Sequence, residues 1–186
     1  MSVTAFSFPT NIQFGAGARR LVAAHLREAG YQRPLLVTDK ALATLPVLDE
    51  FKTHLEDLDV AVFSGVFGNP TTSQVMAGAV AFIGHRADCI IGFGGGAALD
   101  VAKLVGVAAT HTGDIIEYVW DHPQSRAIEH SLPYLVTLPT TAGTGSEVGR
   151  ASVISEDDSH LKRVVFNPKL LAKCVFVDPE LTLSLP

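Results

Sequence analysis

Three consecutive glycines, Gly94, Gly95 and Gly96, stand between an apolar run ending at Phe93 and a segment, residues 97–109, that is apolar on nearly every face. Glycine lets backbone come close to a ligand, and the N–H groups that open a helix have no partners of their own. A strand-to-helix turn of this kind therefore suits an anion such as a phosphate. A tight turn with no ligand would use the same residues, so the glycines alone do not separate the two readings. Asp39, directly after the apolar run 34–38, offers a carboxylate that can accept both hydroxyls of a ribose and repel a 2′-phosphate, or can equally cap the segment that follows it. It precedes the glycines, whereas the usual dinucleotide fingerprint places its acid about twenty residues after them. A third stretch, PTTAGTGSE at 139–147, sets the hydroxyls of Thr140, Thr141, Thr144 and Ser146 among small residues directly after a strand. These suit ribose and amide groups, and a polar turn with a helix cap is the plainer alternative.

The surrounding elements must hold these stretches together. Apolar runs predict strands at 12–14, 34–38, 60–63, 88–93, 134–138 and 174–177, and helical spacing predicts helices at 18–29, 47–57, 72–84 and 97–109. Alternating strands and helices imply an α/β fold with a parallel sheet covered on both faces, whose ligands bind at the carboxyl ends of the strands. Two alternating runs, 148–154 and 162–166, are separated by SEDDSH and read as a β-hairpin projecting from the sheet in the C-terminal third. No repeat or low-complexity tract divides the chain, so residues 1–186 are expected to form one domain.

Composition narrows the partners. With 47% apolar residues the chain can build a sizeable core, and its net charge of −5, spread without blocks, gives no electrostatic support for binding nucleic acid or an anionic membrane. Small molecules and other subunits remain. Cys89 and Cys174 sit inside apolar runs and are expected to be buried thiols, which suits a reducing cytoplasm. The first residues, MSVTAFSFPTNIQF, lack the pattern of a secretory leader, and no uncharged apolar stretch is long enough to span a bilayer.

The chain carries FGAG at 14–17, VTD at 37–39, NPT at 69–71, GFGGGAALDVAK at 92–103, LPTTAGTGSEV at 138–148 and DPEL at 178–181. In these motifs it resembles the iron-containing (group III) alcohol dehydrogenases, a family that also includes glycerol dehydrogenase and, more distantly, dehydroquinate synthase. The resemblance implies a doubly wound, Rossmann-like nucleotide-binding domain, with the family's helical metal-binding domain expected after residue 186. It implies NAD as cofactor: Asp39 on the adenosine ribose, Gly95, Gly96 and Ala97 on the pyrophosphate, and Asn69 nearby. Thr140, Thr141, Thr144, Ser146 and Val148 would line the way to the nicotinamide, with Asp100 at that end and Lys162 reaching in from the hairpin. Ala97 departs from the family, which usually has Ser there, so a side-chain phosphate contact is lost while the backbone amides remain. Asp100 and Lys103, three apart on a helix, can also simply pair.

In the family an Asp and three His of the helical domain hold a divalent metal, iron or zinc. None of the seven histidines here is read as such a ligand, and all are expected at the surface or in loops. No catalytic residue is assigned within this chain. For the complete protein the resemblance implies NAD-dependent interconversion of a small alcohol with its aldehyde or ketone. The rivals are a stand-alone NAD-binding or subunit-interaction module and a dehydroquinate-synthase-like fragment, against which the TTAGTGSE loop weighs. A mean hydropathy of +0.29 favours self-association into a homo-oligomer.

Overall fold

Apolar strands alternating with helices wind around one sheet, as the computed structural model, which describes residues 10–183, lays out. The strands are β1 (Asn11–Phe14), β2 (Pro34–Asp39), β3 (Ala61–Val66), β4 (Cys89–Gly94), β5 (Tyr134–Pro139) and β8 (Cys174–Val177). They pair in the order β1-β8-β5-β4-β2-β3, and every pairing is parallel. The expectations for residues 1–9, including the lack of a leader, lie outside the described residues.

Each strand sends alternate side chains to opposite faces, and both faces are covered. On one face Leu36, Ile91, Phe93, Val136 and Phe176 meet α1 (Val22–Glu28) and α2 (Pro46–Thr53), with the rings of Phe51 and Phe93 stacked at 4.8 Å. On the other, Leu35, Val37, Ile90, Leu135 and Val175 meet α3 (Thr72–His85) and α4 (Gly96–Thr110). The sheet is thus doubly wound. Both cysteines are buried and unpaired, and burial pushes their thiols up. Among the described residues no helix is long and apolar enough to cross a membrane.

Several elements differ in extent from the sequence reading, and β3, expected to end at Phe63, runs on to Val66. The first helix opens as a 3₁₀ turn, Ala18–Leu21, and α2 stops at Thr53, after which turns let Leu55 and Leu58 both point into the core. The hairpin begins later than expected, at β6 (Ala151–Ser155) with β7 (Lys162–Phe166), because residues 148–150 finish the preceding loop. It forms its own two-stranded sheet, and rather than projecting freely it buries Ile154 and Val165 in the α4-side core.

Its turn is tied down as well. The Asp157 carboxylate accepts from Ser73 N at 2.8 Å, from Ser73 Oγ at 2.7 Å and from the Thr72 hydroxyl, closing the N-terminus of α3. The Thr72 and Ser73 donors lower its pKa from 3.8 to about 2. A depressed carboxylate contributes stability that is complete above its unfolded value and lost as pH falls through the folded one. Amides at the hairpin turn are therefore expected to lose protection between pH 3.8 and about 2, and Asp157→Asn to abolish that step in hydrogen exchange.

Candidate functional site

β2 and β4 are neighbours although the chain builds β3 between them, so strand order reverses here and the carboxyl ends of the two strands flank the crevice where open α/β sheets bind ligands. β2 ends on Asp39 and β4 on Gly94. A Cβ on Gly94 would stand 2.8 Å from Ala98 Cβ and 3.4 Å from Asp39 Oδ2, and its φ of +147° is one that side chains rarely adopt. Only glycine lets β4 turn into α4 beside the carboxylate.

α4 begins at this turn with Gly95 in the N-cap position and no side-chain cap. Its opening N–H groups and the positive end of its dipole therefore face the crevice without a competing side chain, an arrangement that fits a phosphate. Asp39 combines both roles that its position allows. Its Oδ1 accepts from Leu42 N at 2.7 Å, capping the next turn, while Oδ2 points toward Gly94.

The hydroxyl-rich loop closes the other side. Thr140 N donates to Gly94 O at 3.0 Å, and Cβ atoms on Gly95 and Gly96 would meet Thr141 Cγ2 at 3.4 Å and Thr144 Cβ at 3.2 Å. Thr141 Oγ1 is buried with no hydrogen-bond partner among the described residues, a hydroxyl that a ligand against Gly95 would satisfy. Ser146 Oγ donates to Asp100 Oδ1, whose other oxygen accepts from Val153 N at 3.0 Å. Asp39, the glycine turn, Asp100 and the loop thus form one group. Ala97 follows in the first turn of α4, half-buried, and Val148 packs against the core beneath the loop.

Asn69 and Lys162 belong to a second group. Both are exposed, Asn69 on the loop before α3 and Lys162 on β7 opposite Ser155. Ser155 N donates to Pro70 O at 2.8 Å, which joins the hairpin to the Asn69 loop.

The comparisons with known proteins decide the family, because residues 9–179 match the family model described as iron-containing alcohol dehydrogenase. The chain belongs to that family. It is 36% identical over 178 residues to the 4-hydroxybutyrate dehydrogenase of Cupriavidus necator, covering 95% of this chain and 46% of the relative. A solved 1,3-propanediol oxidoreductase superposes with a TM-score of 0.89 at 33% identity, covering 98% of this chain and 48% of that one. The sulfoacetaldehyde reductase of Bifidobacterium kashiwanohense, solved in complex with NAD+, superposes with a TM-score of 0.92 at 26% identity over 100% of this chain and 49% of that one. The chain spans about half the length of the relatives it matches.

For a member of the iron-containing alcohol dehydrogenases the donor set is notable. Among the described residues no group of three or more His, Cys, Asp or Glu could hold a metal ion, so the ion that the family's name implies does not fit here. Two histidines do stand four residues after an acid, Glu50–His54 and Glu156–His160. Glu50 is taken by Arg19, and Glu156 by Ser159 and Arg163. Nor are all the histidines free surface residues. His25, His85 and His111 are half-buried, bonded to the Tyr134 hydroxyl, the Asp59 carbonyl and the His130 amide.

The family motifs FGAG and DPEL have a structural task that the sequence reading did not find. Asp178, fully buried, accepts from Gly17 N at 3.1 Å and from the Arg19 guanidinium at 2.7 Å, joining the two ends of the described chain. Lys103 does more than pair with Asp100. A lysine on an almost uniformly apolar helix was the available signal, and its Nζ donates to Ala151 O at 2.8 Å and Ser146 Oγ at 3.3 Å while lying 3.5 Å from Asp100 Oδ1.

Proposed function

We propose that this chain is the dinucleotide-binding domain of an NAD-dependent alcohol dehydrogenase. The observation that carries it is the meeting, at the reversal of strand order, of the Asp39 carboxylate with the uncapped N-terminus of α4. The NAD+ complex of a structural neighbour that superposes over the whole chain supports the choice of cofactor.

When bound, the nicotinamide accepts or returns a hydride. The chain's own residues bind and orient. Backbone N–H groups of Gly95, Gly96 and Ala97 would hold the pyrophosphate, and Asp39 Oδ2 the adenosine ribose. Thr140, Thr141, Thr144 and Ser146 would offer hydroxyls along the nicotinamide half, with Val148 beneath and Asp100 at its end. Asn69 and Lys162 would close the side nearest the hairpin. The substrate of the complete protein would be a small alcohol or its carbonyl product, and no residue of this chain is assigned to its oxygen. Buried, unpaired cysteines support a reducing compartment such as the cytoplasm. Exposed Phe14, Leu21 and Ile12 near one sheet edge support assembly with a second copy.

Calorimetric titration of the chain with NADH and with NADPH tests the reading. Saturable NADH binding with NADPH much weaker is expected, since the Asp39 charge opposes a 2′-phosphate. Asp39→Asn, which keeps an acceptor for Leu42 N but removes the charge, should narrow the gap by about tenfold, as should Asp39→Gly with some added loss of stability. Unchanged discrimination in both variants would show that Asp39 does not read the ribose.

A further inference from the structure

α4 is apolar almost all round, yet Lys103 lies within it with its side chain wholly removed from solvent. Burying an ammonium is costly unless its donors are matched, and methionine would fill a similar volume at no such cost. Here an ammonium's three donors have three oxygens within reach: the Ala151 carbonyl on β6, the Ser146 hydroxyl at the end of the loop and the Asp100 carboxylate on α4 itself. The ring continues through Ser146 Oγ to Asp100, and through Val153 N and Ser152 Oγ from β6 to the same residue. The loop between Thr140 and Ser146 is exposed at residues 142–145. Its two attachments to the glycine turn and α4 are the Thr140 amide and the Ser146 hydroxyl.

We infer that Lys103 is a positioning residue that fastens the end of the hydroxyl-rich loop and the Asp100 carboxylate to the hairpin, fixing the wall of the crevice against which the cofactor is received. The inference rests on the cofactor reading above for its functional half, and on geometry alone for its structural half. Burial pushes the Lys103 ammonium below its ordinary range against the pull of the Asp100 and Glu147 carboxylates. Those are the charged groups that face it from α4 and the loop, and β6 presents the Ala151 carbonyl. Because its folded pKa lies below the unfolded one, the stability due to Lys103 rises with pH between the two values, where the unfolded chain binds more protons.

Hydrogen exchange on the chain, read segment by segment, tests the clamp. Lys103→Met is expected to speed exchange of amides 141–148 by about tenfold while those of β4 and β5 keep their rates, because the ammonium that joins Ser146 on the loop to Ala151 on β6 and Asp100 on α4 is lost. Ser146→Ala, which removes the hydroxyl that Lys103 and Asp100 share, should speed the same amides and reads the clamp where Lys103→Met fails to fold. Loop exchange unaffected by these substitutions, or a uniform rise across every segment of a folded variant, overturns the inference.

NADH titration separates the two halves. A weaker affinity in Lys103→Met, by about tenfold, accompanies the loosened loop if the clamp serves the cofactor. Equal affinity despite a loosened loop overturns the functional half. If the unsubstituted chain binds no NADH while the loop responds as described, the cofactor reading fails and the clamp stands.

Discussion

Gly95→Val is expected to weaken NADH binding by at least about a hundredfold, about 2.7 kcal/mol, while leaving the fold intact. Gly95 has φ −73° and ψ −178°, an extended conformation open to any residue, and its Cβ would make only an ordinary 3.4 Å contact with Thr141. The backbone therefore does not need glycine at this position. What valine introduces is two methyl groups beside the opening N–H groups of α4, where a pyrophosphate must come within hydrogen-bond distance. Valine is a poor N-cap, which sets the stability loss at about 1 kcal/mol. Gly94→Ala behaves differently, because φ +147° and a 2.8 Å approach to Ala98 Cβ make the side chain incompatible with the turn itself. Calorimetry with NADH and a thermal melt on both variants check the contrast. Near-normal NADH binding by Gly95→Val would remove the helix N-terminus as the phosphate site.

These two glycines show why part of the site was legible in the sequence. A strand, a glycine turn and a helix adjoin in the chain, so local pattern is enough to place Gly94–Ala97 at a carboxyl end of the sheet. Asp39 was legible for the same reason, since it directly follows an apolar run. That it meets Gly94 depends on β2 and β4 pairing across the chain's excursion to β3, and periodicity carries no information about that order. The helix after the glycines is apolar on nearly every face in the sequence, and spacing along it shows that Lys103 can pair with Asp100. Its contacts with Ser146 and Ala151 span more than 40 residues, so spacing on one helix could not reveal them. The hairpin was found by its alternation but placed too freely. Only the inward pairing of Ser152 with Val165, and the burial of Ile154, show which of its faces packs against the domain.

The least legible feature carries the largest expected effect on stability. Asp178 follows the last strand and Arg19 follows the first, 159 residues apart, and nothing in either local sequence announces that they pair. In the structure Arg19 spends its guanidinium on Asp178 at 2.7 Å, Glu180 at 2.6 Å and Glu50 at 2.8 Å, while Asp178 also accepts from the backbone amides of Gly17, Arg19 and Glu180. Burial opposes ionisation of Asp178, but the Arg19 guanidinium and these amides outweigh it and hold the carboxyl below the usual range. Asp178→Asn leaves a buried guanidinium short of its innermost counter-charge, and a loss of about 3–5 kcal/mol is expected. Against a total of about 5–15 kcal/mol for a domain, that is a large fraction. Because the folded pKa is depressed, the stability due to Asp178 is complete above its unfolded value and lost as pH falls through the folded one, so the acid limb of the urea midpoint against pH should flatten in the variant. Arg19→Met and the double variant close a cycle in which the combined loss is well below the sum, since the first substitution already removes the pair. A sum that is simply additive would show that the two residues stabilise the chain independently. The pair lies at the β1–β8 edge, with β5 between β8 and the strands that flank the crevice, so Asp178→Asn should change NADH affinity only through the fraction folded. Gly95→Val should do the reverse, and the two variants together separate what holds this domain together from what it binds.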